Sequence, residues 1–155
     1  ARIGCVCSKN KEFMSTIMKF AQARLCAPTI EMIGAAALIN TTKEYFQEVH
    51  QEYQKRRDIV YNALLNIPNV VCEKPMGAFY VVAKLPIDDA ENFAKWMLTD
   101  FNVNNATTMV APAAGFYATP GLGKDEVRLA YILKEEDLTA AMEILAKGIE
   151  AYNNR

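Results

Sequence analysis

The spacing of apolar residues changes period along the chain, from helical in the first part to strand-like runs in the second. Phe13, Ile17 and Phe20 recur at helical spacing, Ser8 or Asn10 can cap that segment, and the pattern predicts a helix through about Leu25. Pro28 breaks the chain, and Thr29 with Glu31 nearby starts an alanine-rich second helix ending near Asn40. Thr41 and Thr42 then offer caps for a long amphipathic helix to about Asn66. Its apolar stripe is Tyr45, Phe46, Val49, Tyr53, Val60, Leu64 and Ile67, and its other face carries Lys43, Glu44, Glu48, Glu52, Lys55, Arg56 and Asp58. Pro68 and Asn69 end it. Beyond them, Val70 to Cys72 and Ala78 to Lys84 predict strands either side of a turn at Lys74-Pro75-Met76-Gly77. Asp88 with Glu91 resembles a capping box for a helix to Phe101 that buries Phe93, Trp96 and Met97. Thr107 to Ala111 and Val127 to Ile132 predict two more strands, separated by a loop from Pro112 to Gly123. Lys134 to Tyr152 predicts a last helix, with Leu138, Met142, Leu145, Ile149 and Tyr152 on its inner face. From Val70 the order is ββαββα, an α+β unit with helices packed on one face of a small, mostly antiparallel sheet.

Ahead of these elements, Ile3-Gly4-Cys5-Val6-Cys7 reads as a strand with nothing before it to pair with. That orphan strand, and the absence of an initiating methionine, suggest a piece of a longer polypeptide.

At 155 residues, with 52% hydrophobic and 23% charged, the chain can build a real core. A formal net charge of −1, with no basic block and no acidic tail, argues against a general nucleic-acid or anionic-membrane binder. The most apolar stretch, Thr29 to Glu44, contains Glu31 and Asn40 and is too short to span a bilayer, and no secretory leader is read at Ala1 to Cys7. Cys5, Cys7, Cys26 and Cys72 match neither a disulfide framework nor a paired zinc motif, so they read as reduced thiols of a cytoplasmic protein, and no metal site is expected.

Candidate chemistry centres on Arg128, a guanidinium inside the otherwise apolar strand-like run Val127-Arg128-Leu129-Ala130-Tyr131. A planar, permanently charged fork fixed on a strand can grip a carboxylate through two parallel hydrogen bonds, or it can sit in a structural ion pair. Arg2 precedes Ile3 and Gly4 and is either a phosphate ligand or an exposed arginine. Gly77, before Ala78-Phe79-Tyr80, supplies a positive-φ turn or lets a ligand approach the backbone. Pro112 to Tyr117, which holds Phe116, lines a pocket or covers the core. No lysine has the apolar surroundings that would lower its pKa for carbonyl chemistry, and His50, the single histidine, reads as solvated.

Four segments in order carry a resemblance. They are Ala1-Arg2-Ile3-Gly4, Tyr53 to Asp58 (Tyr-Gln-Lys-Arg-Arg-Asp), Pro75-Met76-Gly77-Ala78-Phe79-Tyr80, and Val110 to Tyr117 followed by Val127-Arg128-Leu129-Ala130. Together they resemble the C-terminal part of class I/II, fold-type I aminotransferases, the enzymes that use pyridoxal phosphate. Two departures stand out: Ala113 and Ala114 occupy positions where a glycine usually follows the proline, and Cys5 stands where an aromatic is common. The resemblance implies that residues 1–40 belong to the large cofactor-binding domain, 41–67 form a bridging helix, and 68–155 form the small C-terminal domain. It further implies that Arg128 binds the substrate carboxylate, that Gly77 and Phe116 shape the pocket, and that Arg2 binds the cofactor phosphate. No catalytic residue falls in this segment: the lysine that carries the cofactor belongs upstream of Ala1, so the segment alone is expected to be inactive. The intact enzyme is expected to be a cytoplasmic homodimer moving an amino group between an amino acid, of aspartate type, and a 2-oxo acid. A fold-type I lyase or synthase, and a non-catalytic α+β ligand-binding module, are the alternatives.

Overall fold

The computed structural model describes residues 2–155, and Ala1, with which the first of the four motifs opens, lies outside the described residues. The chain divides into two compact units, Ala1–Gln47 and Glu48–Arg155.

The first unit holds helix α1 (Lys11–Arg24), helix α2 (Thr29–Ala37), a 3-10 turn (Leu38–Asn40) and the start of helix α3 (Lys43–Leu65). Local chemistry sets these helices. The Asn10 side chain accepts from the Phe13 N–H at 3.0 Å, Pro28 stands at the N-cap of α2, and Thr42 Oγ1 accepts from the Tyr45 N–H at 3.4 Å. None of the described residues up to Gln47 is buried. The strand expected at Ile3–Cys7 does not form. Residues 2–9 carry no strand assignment, and a strand exists only through pairing with a neighbour's N–H and C=O groups.

The second unit has the predicted order β1 (Val71–Cys72), β2 (Tyr80–Lys84), α4 (Ala90–Thr99), β3 (Ala111–Pro112), β4 (Glu126–Ala130) and α5 (Glu135–Asn153). Its sheet runs β1-β2-β4-β3 with every pairing antiparallel. Period-2 alternation separates the two faces. Val81, Ala83, Val127 and Leu129 point into a core with Phe93, Met97, Leu138, Leu145 and Ile149 of α4 and α5, joined by Val60 and Leu64 of α3. Each large side chain buried there contributes about 1.5–3 kcal/mol. Tyr80, Val82, Lys84, Glu126 and Arg128 share the opposite, more open face. Gly148 of α5 packs against the end of the Met97 side chain of α4, which would have to shift to admit a Cβ. Tyr152 of α5 sits edge-on to Phe93 at 5.1 Å and donates its hydroxyl to Asp88 at 2.8 Å, fastening the helix end to the turn before α4.

Several boundaries shift for identifiable reasons. The α4 cap is Asp89, whose carboxylate accepts from the Glu91 and Asn92 N–H groups, while the expected cap Asp88 is engaged by Tyr152. Trp96 stays partly exposed, stacked on Phe101. Thr107 and Thr108 do not join a strand; each donates its hydroxyl at 2.7 Å to a helix carbonyl, Met97 O and Ala141 O respectively. β3 is therefore confined to Ala111–Pro112. β2 begins at Tyr80 rather than Ala78, because Ala78 has φ +56°, a left-handed conformation that no strand accommodates.

Candidate functional site

Arg128 occupies the middle of β4, flanked by Val82 of β2 on one side and Ala111 of β3 on the other. Two rungs away in the same ladder, Tyr80 faces Ala130, so Tyr80 and Arg128 are diagonal neighbours on the open face. The guanidinium carbon lies 4.4 Å from the centre of the Tyr80 ring and 4.6 Å from that of Phe116. Contacts of this kind attract a cation and strip away water without consuming any of its N–H donors.

Phe116 arrives from the loop through a 3-10 turn, Ala114–Phe116. The loop is tied down at both ends. Ala113 N–H donates to Glu126 O at 2.9 Å, the Tyr117 hydroxyl donates to the Glu126 carboxylate, and Gly123, with φ +72°, lies so close beneath the Tyr117 ring that a Cβ would clash. Glu126 thus supplies the acceptor that holds the loop, and its hydrogen bond pushes the Tyr117 phenol above its ordinary value. The expected alternative for Arg128, an ion pair, is absent: among the described residues no carboxylate lies within 4.0 Å of it. Lys84, the other cation on this face, is bound to Asp125 at 2.9 Å, and that hydrogen bond raises its pKa.

Gly77 lies beside a different concavity. It adopts no positive φ, which corrects one of the two readings of it: the left-handed residue of the turn is its neighbour Ala78. A Cβ at Gly77 would meet nothing within 4 Å, so the backbone there is open to approach. With His50, Tyr53, Gln54, Arg57 and Tyr131 it lines a cavity of about 120 Å³. Arg2, the fourth expected site residue, lies in the first unit, exposed. The structure thus brings Arg128 and Phe116 together, sets Gly77 three residues before Tyr80, and leaves Arg2 to be described within its own unit.

The motif Tyr53 to Asp58 proves to be an anchor for the two strand ends. Arg56 Nη1 donates to Ile132 O at 2.7 Å just past β4, and its Nε donates to Glu52 at 2.8 Å. Arg57 donates to Asp58 at 2.9 Å and to Pro75 O at 3.4 Å, and Lys74 reaches the same Asp58 carboxylate at 2.9 Å. The Lys74 hydrogen bond, then those of Arg57 against some burial, hold the Asp58 carboxyl below its usual range. Tyr53 packs on Phe79 with ring centres 6.2 Å apart, and Phe79 on Tyr80 at 4.6 Å. Sequence reasoning missed Tyr80 as the second ring against Arg128. The signal was present in the two-residue period, which places both on one face once the β2–β4 register is known. It also assigned Arg56 and Arg57 no task, because their partners are backbone carbonyls 76 and 18 residues away.

Among the described residues no group of three His, Cys, Asp or Glu side chains gathers as a metal site, and no helix is long and apolar enough to cross a membrane.

Comparison with known proteins gives a consistent result. The model of the family "Aminotransferase class I and II" matches residues 1–145. An aspartate aminotransferase of Musicola paradisiaca is 31% identical over 160 residues, covering 98% of this chain and 37% of that protein. One from Pyrococcus horikoshii is 32% identical over 127 residues, covering 80% and 30% respectively. Among solved structures, the alanine aminotransferase of Pyrococcus furiosus matches with a TM-score of 0.69 at 28% identity, over 92% of this chain and 36% of that one. An α-aminoadipate aminotransferase of Thermus thermophilus, complexed with N-(5'-phosphopyridoxyl)-L-leucine, shares the fold with a TM-score of 0.73 at 20% identity, over 93% and 36%. The chain spans about a third of the length of the curated relatives it matches.

Proposed function

We propose, for a chain that belongs to the class I and II aminotransferases, that it supplies the carboxylate clamp of an enzyme moving an amino group between an amino acid and a 2-oxo acid. The observation that carries this reading is Arg128, held between Tyr80 and Phe116 on an open sheet face without a carboxylate partner among the described residues. A fixed, partly desolvated fork with free donors is a receptor for a planar anion. The substrate's α-carboxylate fits it, and two-point binding fixes the orientation of the carbon whose bonds are remade. The two rings shield that contact from water and so strengthen it. The likeness to aspartate aminotransferases supports an aspartate-type donor.

Pyridoxal phosphate, when bound, supplies the electron sink for bond-breaking at the α-carbon. Of this chain's residues, Arg2 fits its phosphate: the side chain is exposed and takes no carboxylate among the described residues, which leaves its donors available. Under the same reading, residues 1–40 belong to the cofactor domain, 41–67 bridge, and 68–155 form the small domain carrying Arg128, with Gly77 leaving backbone open beside its own concavity. The four thiols, all free in the structure, accord with a cytoplasmic enzyme, and the family likeness supports a homodimer. The family match does not favour a stand-alone ligand-binding module.

The test is Arg128→Ala and Arg128→Lys in the full polypeptide that carries this segment, loaded with pyridoxal phosphate. With L-aspartate and 2-oxoglutarate, kcat/KM is expected to fall about a hundredfold for Ala, and lysine, a point charge without the fork, recovers only part of it. Unchanged kcat/KM in both variants refutes the clamp. Formation of one product amino acid for each donor consumed separates transamination from a lyase.

A further inference from the structure

Ala78 presents a problem that the carboxylate clamp alone does not explain. Its φ of +56° is disfavoured for any residue with a Cβ, so the surrounding structure must over-determine it. One residue reaches the carbonyls on both sides of Ala78. The backbone N–H of Tyr131 donates to Phe79 O at 3.0 Å, extending the β2–β4 ladder one step beyond the Tyr80–Ala130 rung. The phenol of the same residue continues past the end of that ladder, donating to Ala78 O at 3.2 Å with Gly77 O at 3.4 Å. Tyr131 is 2% exposed, so its ring is held by packing as well as by these bonds. Its single phenolic proton is shared between Ala78 O and Gly77 O, so with the backbone N–H Tyr131 reaches three consecutive carbonyls, and the next residue in the chain is Tyr80, whose ring lies against Arg128. Phe79, between them, packs on both Tyr80 and Tyr53.

We infer that Tyr131 is a positioning residue for the carboxylate clamp: its phenol fixes the Gly77–Ala78–Phe79 approach and thereby sets the Tyr80 ring against Arg128. This rests on the proposed role of Arg128. Burial raises the Tyr131 phenol above its ordinary value, with Arg57 opposing, which keeps it a proton-bearing donor across the working range. The adjoining cavity of about 120 Å³ lets water reach the freed carbonyls when the hydroxyl is removed. Tyr131→Phe is therefore expected to fold while losing the restraint on Ala78.

The experiment uses the loaded full polypeptide with L-aspartate and 2-oxoglutarate, measuring Tyr131→Phe, Ala78→Gly and the double variant. Tyr131→Phe is expected to raise KM for L-aspartate about tenfold with kcat little changed, because carboxylate binding weakens while the chemistry is intact. Ala78→Gly alone is expected to weaken binding too, since glycine frees the turn that the phenol restrains. In the Tyr131→Phe background it is expected to add little, because both changes release the same restraint. A KM unchanged by Tyr131→Phe, a fall in kcat at constant KM, or fully additive effects of the two substitutions each overturn the inference. Arg128→Ala in the same assay separates the two levels. If it leaves KM for L-aspartate unmoved, the clamp itself fails; if it raises KM while Tyr131→Phe does not, only the positioning role fails.

Discussion

Helices α1 and α5 both repeat apolar residues at helical spacing, yet only one of them has an interior to fill. α5 buries Leu138, Met142, Leu145, Gly148, Ile149 and Tyr152 against the sheet and α4, whereas α1 buries nothing. Around α1 and α2, Phe20 is 71% exposed, Ile30 82% and Ile39 89%. Periodicity specifies which face of a helix is apolar, but not what covers that face. In the second unit the covering surface is in the same chain: strands β2 and β4 present Val81, Ala83, Val127 and Leu129 at two-residue spacing to meet it. The first unit has caps and propensity, which hold a 14-residue helix only marginally in water.

The largest expected contrast comes from truncating one apolar residue in each unit. Leu64→Ala, at a fully buried position, is expected to cost about 3 kcal/mol in urea unfolding followed by Trp96 fluorescence, and Phe20→Ala less than about 0.5 kcal/mol. Equal losses would erase the distinction between the units. A smaller contrast lies in the caps. Asp89→Ala is expected to lower the same transition by about 1 kcal/mol, because α4 unfolds with the core. Asn10→Ala removes an equivalent bond from α1, and is expected to reduce far-UV helical signal while leaving the Trp96 midpoint in place.

The smallest effect is electrostatic. In the folded chain Asp58 is held below its ordinary value, foremost by the Lys74 hydrogen bond. A depressed carboxylate contributes stability that is present above its unfolded value of about 3.9 and is lost as pH falls through the folded value. Asp58→Asn should therefore flatten the acid limb of the urea midpoint below about pH 4, while leaving its neutral-pH slope unchanged. An acid limb as steep as that of the parent would show that the Lys74–Asp58–Arg57 group does not tie the helix to the turn in solution.

Much of the second unit was legible because its information is local. Alternation in Tyr80–Lys84 and Glu126–Ala130, and the stripe Leu138, Met142, Leu145, Ile149 and Tyr152, name both the elements and their inner faces. The errors fall where a distant group takes over a local signal. Asp88 is as good a cap by sequence as Asp89, but Tyr152, 64 residues on, claims it. Thr107 and Thr108 have strand propensity, yet carbonyls of α4 and α5 recruit their hydroxyls. Ile3–Cys7 has strand composition, but composition alone supplies no pairing partner, and no strand is assigned there.

Residue type and period alone carry the ββαββα order and the lone guanidinium in an apolar run. That Arg128 lies against Tyr80 and Phe116, and that the strands pair antiparallel with the Tyr131 hydroxyl on Ala78 O, comes from packing in three dimensions. Those relations depend on strand register and on contacts that span 48, 12 and 53 residues of chain. No local propensity encodes register; it is fixed when both faces of the sheet are satisfied at once.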